Sequence, residues 1–252
     1  MKKMLEVNIT FNLEYINFLE ELGIPFKNKI IDYKVKDGNK HRLTYENCLI
    51  TEEDADRIDS ASVNGVMSIS KNKTATEEFF KIYSDGGSFN NGKKDENLPS
   101  FSSYAYYILD EEGNTISGNG GKEDDTNNIG ELKGCILGLD DLKENLEGSD
   151  KVNIILISDS QYVIQGINTY INGWIKRGWK NNSGNPTPNK EYWYRLYKEY
   201  LSNDKFNIYT KWVRGHTDND GEDFKYNDSC DYDCNVVINK WLKTQGLKQR
   251  KI

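Results

Sequence analysis

Four acidic residues in the last two-thirds of the chain sit in settings suited to one kind of chemistry: Asp85 in KIYSDGGSFNNG, Glu131 in TNNIGELKG, Asp159 in IILISDSQYVIQGI and Asp231 in NDSCDYDC. Asp85 and Asp159 close β-patterned apolar runs, whereas Glu131 and Asp231 fall on predicted helices, so only folding brings them together. Carboxylates gathered in one pocket repel one another unless a cation fills it, and hard divalent ions with oxygen ligands fill it best. The chemistry this set suggests is metal-assisted phosphoryl transfer. Each acid also has a local use: Asp85 before Gly86-Gly87 as a turn residue, Asp159 as a helix cap, Glu131 as a first-turn glutamate favoured by the helix dipole.

The elements that must position these acids are legible from Phe79 onward. Ile82 and Tyr83 lead into Asp85, Tyr104 to Leu109 form a second strand, and Glu111-Glu112-Gly113-Asn114 turns it into a third near Ile116. A helix is expected from about 126 to 143, with Ile129, Leu132, Ile136 and Leu139 on one face. Val152 to Ser158 is a continuous apolar run, the mark of a strand covered on both sides. Helices near 160–172 and 189–202, a strand from Phe206 to Val213 and a last helix from about Asp228 complete a mixed sheet with helices on its faces. In front of this, residues 1–60 read as a small α/β unit. Leu5, Val7, Ile9, Phe11 and Leu13 alternate as a half-buried strand, and Ile31, Tyr33 and Val35, then Asp37-Gly38, then Leu43 and Tyr45 read as a hairpin. Residues 61–78 read as a polar linker, so a chain starting near Lys73 is expected to fold by itself.

Composition narrows the class. The 252 residues are 36% hydrophobic, 29% charged and 12% aromatic, which fits a globular protein, and no apolar run approaches membrane-spanning length. The opening MKKMLEVNITFNLEY alternates instead of forming a signal-peptide core, so a cytoplasmic location is expected. Cys48, Cys135, Cys230 and Cys234 lack the CxxC spacing of zinc sites and read as free thiols. A net charge of −7 excludes nucleic-acid binding through the whole surface, so a polyanion must meet a local basic patch. Such a patch exists: between Ser160 and Lys190 there is no acid, while Lys176, Arg177, Lys180 and Lys190 are interleaved with Trp174 and Trp179. Cations among aromatics suit a surface that tracks phosphates and packs on sugars or bases.

Over residues 79–243 the chain resembles the ribonuclease H type 1 family. The matching pieces, in order, are YSDGG with Asn91-Gly92, TNN before Glu131, SDSQYVIQGI, YINGWIKRGWK, the Trp193 helix, WVRGH, and Asn227 with Cys230-Asp231. The resemblance implies an α/β fold, a ribonuclease-H-like mixed five-stranded sheet flanked by helices, in a catalytic domain spanning about 79–246. It implies that Asp85, Glu131, Asp159 and Asp231 bind two Mg²⁺ ions, with Mn²⁺ able to substitute. The RNA strand of an RNA–DNA hybrid would be hydrolysed to 5′-phosphate and 3′-hydroxyl ends. Alternatives are a catalytically weak hybrid-binding module and another nuclease of the same wider fold.

Cys230, Cys234, Val237 and Trp241 share one helical stripe, which turns Asp228 outward and leaves Asp231 and Asp233 flanking the core face. The family pattern selects Asp231; Asp233 departs from it, since that position is usually apolar. The resemblance gives His216 a part in proton transfer or product release. It also places Gly86, Ser88, Asn91, Asn127, Asn128 and Gln161 along the minor groove, where a 2′-hydroxyl distinguishes RNA from DNA. The stretch bearing Trp174, Lys176, Arg177, Trp179 and Lys180 looks like the basic protrusion that grips the DNA strand. The front unit does not resemble the small hybrid-binding domain of some relatives; a protein or nucleic-acid partner is its expected role, on a chain expected to be monomeric.

Overall fold

The computed structural model describes residues 4–12, 15–32, 42–61, 67–75, 79–92, 95–146, 151–215 and 221–252. Two sheets organise them. The second, which carries Asp85 and ends a strand just before Asp159, has the order β7-β6-β5-β8-β9. Its strands are β5 (Phe79–Phe89), β6 (Phe101–Leu109), β7 (Thr115–Glu123), β8 (Val152–Ser158) and β9 (Phe206–Trp212). β5, β6 and β7 pair antiparallel, whereas β5–β8 and β8–β9 are parallel. The mixed five-stranded sheet is therefore as expected. Every residue of β8 is buried, as its unbroken apolar run requires.

Helix α3 (Asn127–Asn145) crosses this sheet with Leu132, Cys135, Ile136, Leu139 and Leu142 buried. It lies unusually close to β5 and β6. A Cβ on Gly134 would sit 3.0 Å from the carbonyl oxygens of both Asp85 and Ala105, and one on Gly86 would collide with the backbone of Glu131. These glycines set the helix–sheet spacing that brings Glu131 beside Asp85. Further helical segments follow as α4 (Gln161–Gln165), a π-helical turn Gly166–Tyr170 and α5 (Ile171–Lys176), then α6 (Lys190–Leu196) with its own π turn Tyr197–Leu201. Trp193, fully buried, centres the core on this side.

The last helix, α7 (Glu222–Thr244), begins six residues before the expected Asp228. Its early start follows from the contacts of its first turn. Glu222 and Asp223 occupy the first turn, where acids suit the dipole, and Asp223 is tied to Lys211 at 2.7 Å and accepts the Tyr83 hydroxyl at 2.8 Å. Of the expected stripe, Cys230, Cys234 and Trp241 pack inward, whereas Val237 is only half-buried and its neighbour Ile238 takes the core position. Asp233 is accommodated at the core margin by the Tyr107 hydroxyl, which donates to its Oδ2 at 2.9 Å.

The front unit holds β1 (Met4–Asn12), α1 (Ile16–Glu21), β2 (Asn28–Asp32), β3 (Arg42–Ile50) and α2 (Glu52–Ala61). The β2–β3 hairpin forms as expected, and its turn falls outside the described residues. Within the stretch 61–78 expected to be a linker, Met67–Ala75 is a fourth strand, β4, paired antiparallel with β1, so that Lys73 sits opposite Glu6. Main-chain pairing holds it, and edge strands are commonly polar, which is why periodicity missed it.

This unit docks on the outer edge of the second sheet. Phe26 and Thr210 of β9 exchange two main-chain hydrogen bonds of 2.9 Å, the Tyr209 hydroxyl donates to Glu6 Oε2 at 2.7 Å, and Leu49 of β3 is buried in a core it shares with Tyr83 and Tyr209. A chain beginning at Lys73 would lose those contacts. All four cysteines are buried free thiols, and no described helix is long and apolar enough to cross a membrane.

Candidate active site

Asp85 lies within β5, Glu131 on α3, and Asp159 between β8 and α4. Their carboxylate oxygens converge, with one atom from each all within 4.8 Å of one another. None serves the local use its sequence setting suggests. Asp85 is inside a strand that continues to Phe89, Glu131 lies beyond the first turn of α3, and the cap of α4 is Ser160, whose side chain accepts from Val163 N at 3.3 Å. The acids are thus left for the pocket they line.

Their surroundings make that pocket demanding. Asp85 is 7% exposed and Glu131 8%, while Asp159 is half-buried. Two unit charges at such separations repel by about 3 kcal/mol at an effective dielectric of about 20, so three carboxylates do not stay ionised without compensation. Burial, then the charge of Asp159 and at longer reach Asp231, raises the Asp85 carboxyl to about 8. Burial and the neighbouring Asp85 and Asp159 raise Glu131 well above the ordinary range. Opposing hydrogen bonds are few: Gly86 N donates to Asp85 Oδ1 at 2.7 Å, and the side chains of Ser160 and Asn127 favour the Glu131 carboxylate, Asn127 Nδ2 donating to Oε1 at 3.1 Å.

The donor set fits a divalent metal. All three groups offer hard oxygen ligands, and Glu131 Oε2 is buried with no hydrogen-bond partner. Such an orphaned oxygen is costly in a closed fold, and a cation at the centre of the three acids would satisfy it.

Asp231 is half-buried on α7, outside the close triad but near enough to raise Asp85. Its Oδ1 accepts from Asn235 Nδ2 at 3.2 Å. Asp228 is exposed, and Asp233 is committed to Tyr107, which leaves Asp231 as the α7 acid turned toward the triad. His216 lies outside the described residues. Gly215 before it passes against Asp159, where a Cβ would collide with Oδ2.

Among the expected substrate contacts, Asn127 forms a bridge. Its backbone N–H donates to Asn91 Oδ1 at 3.3 Å while its side chain holds Glu131. Asn91, Asn128 and Gln161 are exposed, Gly86 and Ser88 half-buried. Lys176, Arg177 and Lys180 are exposed, whereas Trp174 and Trp179 are half-buried and pack on the core, Trp174 against Trp193 with ring centroids 5.3 Å apart. The tryptophans thus spend part of their surface on packing. Two contributors escaped sequence reasoning, Asn235 and Arg250; an asparagine on a helix and an arginine in the tail KQRKI carry no signal of their own.

Residues 77–235, well over half of the chain, match the model of the family described as RNase H. Curated relatives include a ribonuclease H of Xanthomonas campestris pv. campestris, 40% identical over 97 residues, and one of Pseudomonas fluorescens, 38% identical over 104 residues. The matches cover 38% and 41% of this chain, and 59% and 63% of those relatives, so the chain spans about three-fifths of their length. Among solved structures, the prototype foamy virus protease–reverse transcriptase aligns with a TM-score of 0.52 at 14% identity, over 66% of this chain and 21% of that one. The solution structure of the PFV RNase H domain aligns at 0.50 and 15% identity, over 64% and 94% of the two chains. At these identities the likeness shows the fold.

Proposed function

The chain belongs to the RNase H family, and on that premise we propose that it hydrolyses the RNA strand of RNA–DNA hybrids. Asp85, Glu131 and Asp159 would hold divalent metal ions, Mg²⁺ or Mn²⁺, with Asp231 completing a site for two. Bound there, such ions supply the positive charge that favours ionisation of the attacking water and stabilises the departing 3′-oxygen, giving 5′-phosphate and 3′-hydroxyl ends.

The observation that carries this reading is the convergence of three carboxylates, two of them buried, with Glu131 Oε2 unsatisfied. A binding module has no use for such a cluster. Asn127 supports hybrid recognition, because it links Asn91 on the approach to the site with Glu131 inside it. In this reading Gly86, Ser88, Asn91, Asn127, Asn128 and Gln161 face the minor groove and test for the 2′-hydroxyl. Lys176, Arg177 and Lys180 hold the other strand through its phosphates, and His216, following Gly215 at Asp159, moves a proton or releases product. Cleavage of a labelled hybrid in Mg²⁺, beside matched duplex DNA and duplex RNA, tests it. Hybrid-selective cutting supports the reading; no cutting, or equal cutting of duplex DNA, overturns it.

A further inference from the structure

The chain runs on past the family-matched region, and its last residues return to the site. Asn239 on α7, 8% exposed, holds the main chain of Arg250 at two points. Arg250 N donates to Asn239 Oδ1 at 2.8 Å, and Asn239 Nδ2 donates to Arg250 O at 3.1 Å. Seated in this way, the guanidinium reaches back toward the end of β5. Its Nη2 donates to the Ser88 carbonyl, its Nη1 donates to Asn235 Oδ1 at 3.4 Å, and it lies over the Phe89 ring, 5.8 Å from the centroid. Asn235 in turn donates from Nδ2 to the carbonyl of Asp231 at 3.0 Å and to its Oδ1 at 3.2 Å.

A carboxamide has one donating and one accepting end, and a carboxylate tolerates only the first. With an arginine N–H on Asn235 Oδ1, the amide is held so that its NH₂ faces Asp231. Without that donor the amide keeps this sense only through its own two bonds to Asp231, and its oxygen is left without the cationic partner that fixes it. The planar fork of arginine also presents two nitrogens at a fixed spacing to two acceptors, which the single nitrogen of a lysine does not.

We infer that Arg250 is a positioning residue of the active site: through Asn235 it orients Asp231, and through Ser88 it ties the C-terminal tail to the end of β5. The catalytic part of this inference rests on the proposed hybrid cleavage; the effect on metal binding does not. A phosphate-binding role for the same cation is the competing account, and the two differ in sign. Removing a cation beside carboxylates strengthens metal binding by charge alone, whereas losing the orientation of Asp231 weakens it.

The experiment uses the full chain with Arg250→Gln, Arg250→Lys, Asp231→Asn and the double variant of Arg250→Gln with Asp231→Asn, and reads melting temperature, Mn²⁺ affinity by calorimetry, and kcat and KM on hybrid. Arg250→Gln is expected to bind Mn²⁺ about fivefold more weakly and to lose about tenfold in kcat with KM changed less than about twofold, and Arg250→Lys to recover only part of this. In the Asp231→Asn background the same change is expected to cost less than about twofold, as coupled residues do. Asn235→Ala, which leaves the tail seated, is expected to reproduce the Arg250→Gln result if that variant melts early. Unchanged or tighter Mn²⁺ binding overturns the inference, as do full additivity with Asp231→Asn and a raised KM with unchanged kcat. If the parent chain leaves hybrids uncut while Arg250→Gln still weakens Mn²⁺ binding, the proposed function falls and the positioning role stands.

Discussion

Gly215 lies so close to Asp159 that any side chain there would run into the Asp159 carboxylate. The contact arises because β8 and β9 are parallel neighbours ending side by side. Val213 N donates to Ser158 O at 3.1 Å, and Trp212 Nε1 donates to Asp159 O at 3.0 Å. Both chain exits therefore open at one edge of the sheet, the edge where ligand sites in parallel α/β arrangements form.

Gly215→Ala is expected to move either the loop or Asp159 and to lower kcat on hybrid by about tenfold or more, since misplacement of about 1 Å at reacting groups is that costly. The melting temperature should change by only a few degrees. Steady-state kinetics beside a thermal melt decide it, and an unaltered kcat would show that the close approach has no bearing on the reaction.

Stability should depend on pH in a direction set by the acids. The Asp85 carboxyl is raised to about 8 and Glu131 is raised as well, so the metal-free fold retains protons that the unfolded chain releases above about pH 4. The stability linked to the Asp85 proton is complete below about pH 4 and is lost as pH rises through about 8, and the raised Glu131 carboxyl adds to it in the same direction. Melting without metal should therefore fall from about pH 5 to about pH 9, and Mg²⁺ or Mn²⁺ should raise it most at the alkaline end, where the ions replace protons. Asp85→Asn should flatten the curve; a metal-free melting temperature that climbs across this range would refute the electrostatic account.

The front unit is built into the half that carries the acids. Leu49 is 1% exposed between Tyr83 and Tyr209, so Leu49→Ala is expected to cost about 2–5 kcal/mol in denaturant unfolding of the whole chain. Loss confined to a separate, earlier transition, with the catalytic half melting unchanged, would show that the two units fold independently.

Neutralising Lys176, Arg177 and Lys180 together is expected to weaken hybrid binding and flatten its salt dependence, by up to about one counterion per lost phosphate contact, with kcat nearly constant. These three side chains are exposed, whereas the neighbouring tryptophans are anchored in the core. A large fall in kcat at an unchanged salt slope would mean that the segment supports the site structurally.

What the sequence disclosed and what it hid follow physical lines. The buried run of β8, the stripe of α7 and the acids Asp85, Glu131 and Asp159 were legible, because burial and charge are written in residue types. β4 was hidden, since main-chain pairing with β1 leaves little trace in an edge strand's composition. The early start of α7 depended on Asp223 finding Lys211 and Tyr83, partners distant in sequence. Arg250 was hidden for the same reason: its partners Ser88, Asn235 and Asn239 meet it only in the folded chain.

The central claim is that the convergent carboxylates hold the metal that cuts RNA. It is tested most directly by hybrid cleavage in Mg²⁺ for Asp85→Asn, Glu131→Gln and Asp159→Asn, each checked for fold by circular dichroism. Each variant removes one charged ligand from the triad, so each is expected to retain the fold and to lose activity by about a thousandfold or more. Parent-like turnover in any one of the three would contradict the account.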